Sequence, residues 1–123
     1  MKLDPSNDIP LFMQIADSIE DAILTEIYPE ESQIPSTTEL STSLLINPAT
    51  VLKGMNLLVT EEIIYKKRGL GMFVSSGAVK RIKSKRKKNF TETYISSLVS
   101  EAKKLGISKD DVIEMIEGGY KDE

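Results

Sequence analysis

Two short β-type runs, Ile63-Ile64-Tyr65-Lys66-Lys67 and Met72-Phe73-Val74-Ser75, are joined by only four residues, Arg68-Gly69-Leu70-Gly71. Glycines at those positions permit the positive φ angles of a tight hairpin, so the segment reads as a β-ribbon with a basic tip. Nearly everything else in the chain carries helical periodicity. The expected fold class is therefore mainly α with a small β-ribbon (α+β), and the ribbon's place after three helical segments limits the architectures available.

The first helical segment begins at Leu11. Ile15, Ile19, Ala22, Ile23 and Ile27 recur every three or four positions, with Asp17, Glu20, Asp21 and Glu26 expected off that apolar face. Tyr28-Pro29 ends the segment, and Gln33-Ile34-Pro35 is extended because the residue before proline is pushed away from helix. Ser36 followed by Glu39 is a capping-box pattern that opens a short second helix with Leu40 and Leu44 inward. Asn47-Pro48 opens a third, since asparagine caps well and proline loses no hydrogen bond at the first helical position. Its buried stripe is Val51, Met55 and Leu58, and it runs to about Glu61.

After Gly77 comes a basic run from Lys80 to Lys88, then an amphipathic stretch with Ile95, Leu98, Val99, Ala102 and Leu105, stopped at Gly106. Ser108 with Asp111 is a second capping pattern. Val112, Ile113, Met115 and Ile116 form a short last helix expected to end before Gly118-Gly119. Neither tail helix can bury its apolar stripe alone, because short helices gain stability mainly by packing, so a homodimer built on these residues is expected. The expected division is residues 1–76 as one domain, with 77–123 as a basic connector and two dimerisation helices.

With 123 residues, the chain can form one modest core plus an appendage. It has no cysteine and no histidine, which removes thiol nucleophiles, disulfides, the usual zinc ligand sets and the commonest general base. No catalytic residue, metal site or cofactor is expected, and Asp110 and Asp111 read as a solvated helix start. No apolar run approaches the length of a membrane span, so the expectation is a cytoplasmic protein with no membrane partner. The net charge of −3 conceals strong segregation: −8 over residues 1–47, +2 over 48–78, +7 over 79–104 and −4 over 105–123. A phosphate backbone responds to the local basic face, so the low overall pI argues only weakly against DNA binding.

Three helices followed by a ribbon, with a short turn joining the second and third, is the winged helix-turn-helix plan, in which the third helix enters the major groove. Asn47, Ala49, Thr50 and Lys53 lie toward the start and outer face of that helix. The tip, Lys66, Lys67, Arg68, Gly69 and Gly71, suits a close approach to a groove. Asn47 reads equally well as a plain helix cap. Ile9-Pro10-Leu11-Phe12-Met13-Gln14-Ile15-Ala16, Ile34-Pro35-Ser36, Glu39-Leu40, Asn47-Pro48-Ala49-Thr50-Val51 and Arg68-Gly69-Leu70-Gly71-Met72-Phe73-Val74 together resemble the DNA-binding domain of the GntR family of bacterial transcription regulators. The resemblance covers about residues 9–75. The short tail is similar to that of the YtrA subfamily, whose members carry a helical dimerisation tail in place of an effector-binding domain.

By this resemblance Ser36, Thr50, Lys53, Arg68 and Gly69 stand at positions that meet DNA. It implies repression by occupying a promoter, often one for a membrane-transporter operon, while the two-fold dimer expected from the tail would bind a pseudo-palindromic site in double-stranded DNA. Whether a small-molecule effector exists is left open. The chain departs from the family pattern at four places: Thr38 stands where an arginine is usual, Leu52 where a basic or polar residue is common, and Glu30 and Leu45 where turn glycines are common. Thr38 removes a bidentate guanidinium contact, which shifts the expected grip toward Lys66, Lys67 and Arg68. A second reading keeps the winged fold as a protein-interaction module without DNA affinity. For the Lys80–Lys88 run, a solvated helix face or a DNA-flanking arm is preferred over a linker.

Overall fold

A computed structural model describes residues 1–122 and divides into two compact units, Met1–Lys83 and Ser84–Glu123. In the first unit, α1 (Leu11–Leu24), α2 (Thr37–Leu44) and α3 (Pro48–Thr60) precede β1 (Ile64–Lys67) and β2 (Gly71–Val74). The strands pair antiparallel with Ile64 opposite Val74 and Lys67 opposite Gly71, so the ribbon is a wing one residue out of step with the expected limits. Residues 31–34 run along its free side: Glu31 N–H donates to the Val74 carbonyl, Val74 N–H to Ser32, and Ile34 N–H to Met72. The expected extended segment before Pro35 thus becomes a third, irregular edge to the wing.

The core follows the predicted stripes. Ile15, Ile19 and Ile23 of α1 pack with Val51, Met55 and Leu58 of α3, and Leu40 and Ile34 close one side. Gly54 lets α1 and α3 approach, because a Cβ there would lie 2.7 Å from the Phe12 carbonyl oxygen. Two residues of the expected first helix depart from expectation. Ile27 is 70% exposed because the helix has already ended: Glu26 turns into positive φ (63°) and Tyr28 N–H returns to the Ala22 carbonyl. Glu20 is buried, since the Ala16-Glu20 ridge lies beside the isoleucine ridge at i, i+4 spacing.

The first unit extends past residue 76. Ala78 and Ile82, on the first turns of α4 (Ala78–Phe90), are fully buried in its core. Glu30 fixes that helix start: its carboxylate accepts from Gly77 N–H (2.8 Å) and Val79 N–H (3.0 Å). These two bonds, the Gly77 one first, hold the Glu30 carboxyl below its usual range. The departure at Glu30 is therefore a long-range helix cap. Leu45 takes the left-handed conformation itself (φ 55°), a conformation that glycine adopts without the steric cost borne by a side chain.

The second unit is helical from its start. α4 passes into a π-helical turn at Thr91–Ile95 and then α5 (Ser96–Leu105), so the basic run lies on a helix and no linker interrupts it. Hydroxyls bond back along the chain at the turn, Thr91 to the Lys87 carbonyl, Ser96 to Thr91 and Ser97 to Thr93, competing with regular helix bonding. Gly106 (φ 69°) closes α5, with Ile107 N–H returning to the Ala102 carbonyl. Ser108 Oγ accepts from Asp111 N–H and opens α6 (Lys109–Lys121). That helix runs through Gly118-Gly119, where it was expected to stop, because neither glycine adopts positive φ.

Candidate nucleic-acid interface

The helix-turn-helix is held by local bonds that the sequence encodes. Ser36 Oγ accepts from Glu39 N–H while the Glu39 carboxylate accepts from Ser36 N–H, both at 3.0 Å, completing the capping box. The bond from Ser36 N–H draws the Glu39 carboxyl below its ordinary value. Ser41 Oγ donates to the Ile46 carbonyl at 2.6 Å and ties the turn, and Thr37 Oγ1 reaches Met55 Sδ at 3.7 Å, pinning α2 to α3. Asn47 Oδ1 accepts from Ala49 N–H at 2.8 Å, so the cap reading of Asn47 is realised, while its amide nitrogen still carries two donors.

On α3, Val51, Gly54, Met55 and Leu58 are buried, and Ala49, Leu52, Lys53 and Asn56 form the outer ridge at i, i+3, i+4 and i+7. Thr50 is half-buried on the flank and Thr38 lies exposed on α2. Lys53 is exposed, yet its ammonium sits 4.2 Å from the centre of the Phe12 ring on α1. This cation–π contact draws the charge toward α1.

The wing does not gather its three cations on one face. Alternation places Lys66 with Met72 on the side of the ribbon that buries Ile64 and Val74, and Lys67 with Tyr65 and Phe73 on the other. Lys67 Nζ stands 4.4 Å from the Phe73 ring centre, and Tyr65 and Phe73 are stacked at 6.0 Å. Arg68 is exposed at the tip, beside Gly69 (φ 81°), around which a Cβ would meet nothing within 4 Å. Gly71 also has positive φ (125°), which favours glycine, and it is more crowded. Gln33 Nε2 donates to the Leu70 carbonyl at 2.7 Å, and a Cβ at Gly71 would lie 2.8 Å from that nitrogen. Gln33 thus clamps the tip, a role with no local sequence signal. Asn56 was also not foreseen, although its seven-residue spacing from Ala49 would have revealed it.

In the second unit, Ala102 and Val112 are half-buried, while Ile95, Leu98, Val99, Leu105, Ile113 and Ile116 are exposed. Among the described residues no group of three or more acidic side chains is placed to hold a metal ion, and no helix is long and apolar enough to cross a membrane.

The family model for "Bacterial regulatory proteins, gntR family" matches residues 11–74, more than half of the chain. The chain belongs to the GntR family. A putative GntR-family transcriptional regulator from Bacteroides thetaiotaomicron has a crystal structure that superposes with a TM-score of 0.80 at 38% identity, covering 89% of this chain and 96% of that one. A GntR-family regulator from Listeria monocytogenes superposes at 0.75 with 30% identity, over 94% and 98%. Among curated relatives, the HTH-type transcriptional repressor YtrA of Bacillus subtilis is 28% identical over 116 residues, 94% of this chain and 88% of that protein. This GntR regulator is thus a winged helix-turn-helix transcription factor with C-terminal helices, and not an enzyme.

Proposed function

We propose that this GntR protein is a cytoplasmic repressor that binds a pseudo-palindromic operator as a homodimer. The observation that carries the DNA-facing part is the α3 ridge. Helix three offers an exposed ridge from Ala49 to Asn56 whose N-terminal end is capped by Asn47, in the same compact unit as a wing tip carrying Lys66, Lys67 and Arg68. A helix start attracts phosphate, and Ser36, Thr38, Thr50 and Lys53 supply further polar groups around it. Gly69 at the tip has open space around its Cα, which leaves room for a groove wall to come close.

The dimer rests on a different observation. In a single chain the π-helical turn, α5 and α6 expose Ile95, Leu98, Val99, Leu105, Ile113 and Ile116, large apolar side chains that water solvates poorly. A second copy covering them, with Ala102 and Val112, gives two-fold symmetry and sets two α3 helices on successive major-groove turns. Repression follows the name of the YtrA relative. Hydroxyl-radical footprinting on promoter DNA, with sedimentation of the free protein, tests the reading. Two protected patches related by a dyad and spaced about 10 base pairs apart, together with a dimeric species, are expected. A monomer, or no protection on any promoter, would contradict it.

A further inference from the structure

The α3 ridge has an unusual chemistry for a major-groove reader. Its exposed members are Ala49, Leu52, Lys53 and Asn56, and Leu52 is 48% exposed despite being a large apolar side chain. No core neighbour accounts for that exposure, since α3 buries its opposite side through Val51, Met55 and Leu58. The one cation on the helix, Lys53, holds its ammonium over Phe12. The helix carries no arginine, and Thr38 on α2 removes another candidate. Guanine is read chiefly by bidentate cations at O6 and N7, so the groups best suited to guanine are missing or turned aside here.

What remains fits the other base pair. Thymine presents a C5-methyl group in the major groove, which makes apolar contact with small aliphatic side chains, and adenine presents N7 and N6, which match an asparagine amide. Resting on the DNA-binding reading above, we propose that the α3 ridge reads A·T pairs, with Ala49 and Leu52 packing on thymine methyls and Asn56 pairing with adenine. Ala49, Leu52 and Asn56 lie one turn apart on one face and span roughly 10 Å, about the length of three base-pair steps of one groove. The specificity of this protein thus resides in a leucine and an asparagine, with the wing cations supplying affinity common to all sequences.

The test begins with selection of operators from a randomised duplex pool by the full-length protein. Each thymine of the selected half-site is then replaced by deoxyuridine, which deletes only the methyl group. Loss of one buried methyl predicts about a fourfold weakening at one or two positions for the wild-type protein. The Leu52→Ala variant should bind thymine and deoxyuridine operators equally well at the position Leu52 covers. The Asn56→Ala variant should lose at least about fivefold in discrimination at a neighbouring A·T pair. Both side chains are exposed, and circular dichroism checks that the variants fold. Enriched operators whose binding is indifferent to every deoxyuridine substitution, or G·C pairs at the positions α3 covers, would overturn this inference while leaving DNA binding intact. A pool that yields no enrichment would overturn both.

Discussion

Gly54→Ala and Gly118→Ala are the same chemical change in the middle and near the end of two helices, and the structure predicts opposite signs. Alanine is intrinsically better than glycine in a helix by about 1 kcal/mol. At Gly118 a new Cβ meets nothing within 4 Å, so that gain is realised in part, up to about 1 kcal/mol. At Gly54 the Cβ would lie 2.7 Å from the Phe12 carbonyl oxygen and 3.3 Å from Ile15 Cγ2. The obstacle is backbone, so α1 and α3 must separate, and overpacking of this kind costs about 1–3 kcal/mol. With the closest contact on a main-chain atom, the upper part of that range applies. After subtracting the propensity gain, the net is a loss of about 1–2 kcal/mol. For a unit of this size that lowers Tm by roughly 5–15 °C. Thermal melts of both variants at one protein concentration check it, since dimerisation makes Tm depend on concentration. A Gly54→Ala protein as stable as wild type would refute the close approach of α1 and α3.

Three further outcomes follow from contacts the structure places. Ile82→Ala should destabilise the first unit by about 2–5 kcal/mol, because Ile82 is completely buried; a change under 1 kcal/mol in urea melts would show that α4 is not part of that core. Glu30 and Glu39 both have carboxyl groups held below their ordinary range by N–H donors. Their contribution is present above the ordinary carboxylate range and is lost as pH falls through the lowered values, so Glu30→Gln should flatten the acid side of the stability profile, and an unaltered profile would sink the clamp. Leu45→Gly should leave stability unchanged or raise it by up to about 1 kcal/mol, as a clear loss in chemical denaturation would show that the left-handed leucine makes a needed contact.

The parts of the fold that were legible in the sequence are those fixed by neighbours a few residues apart. The Ser36/Glu39 box, the Asn47-Pro48 start, most of the three core stripes and, to within one residue, the glycine hairpin rest on local pairings and form where expected. The elements that were misread depend on distant partners. Ile27 keeps the helical period, but the helix ends at Leu24 and the chain turns into positive φ at Glu26, which periodicity does not register. Ala78 and Ile82 look like the start of a basic tail until the first unit's core is there to bury them, helped by a cap from Glu30, 47 residues away from Gly77. Gly106 and Gly118 look alike in sequence, yet only the first turns left-handed. For the candidate interface, Ala49, Thr50 and Lys53 are legible from spacing and Asn56 is not among the expected residues, whereas the diversion of Lys53 and Lys67 over aromatic rings requires Phe12 and Phe73 in three dimensions.

The salt dependence of operator binding is the most direct measurement of the central claim that α3 and the wing face duplex DNA. Each phosphate contact contributes about 0.9 to the negative slope of log affinity against log salt. Fluorescence anisotropy across a salt series should give a steep slope for the wild-type protein, and one shallower by about one to two when Lys66, Lys67 and Arg68 are all replaced by alanine, since alternation puts Lys66 and Lys67 on opposite faces of the wing. Affinity that does not respond to salt, or a triple variant with the wild-type slope, would contradict the account.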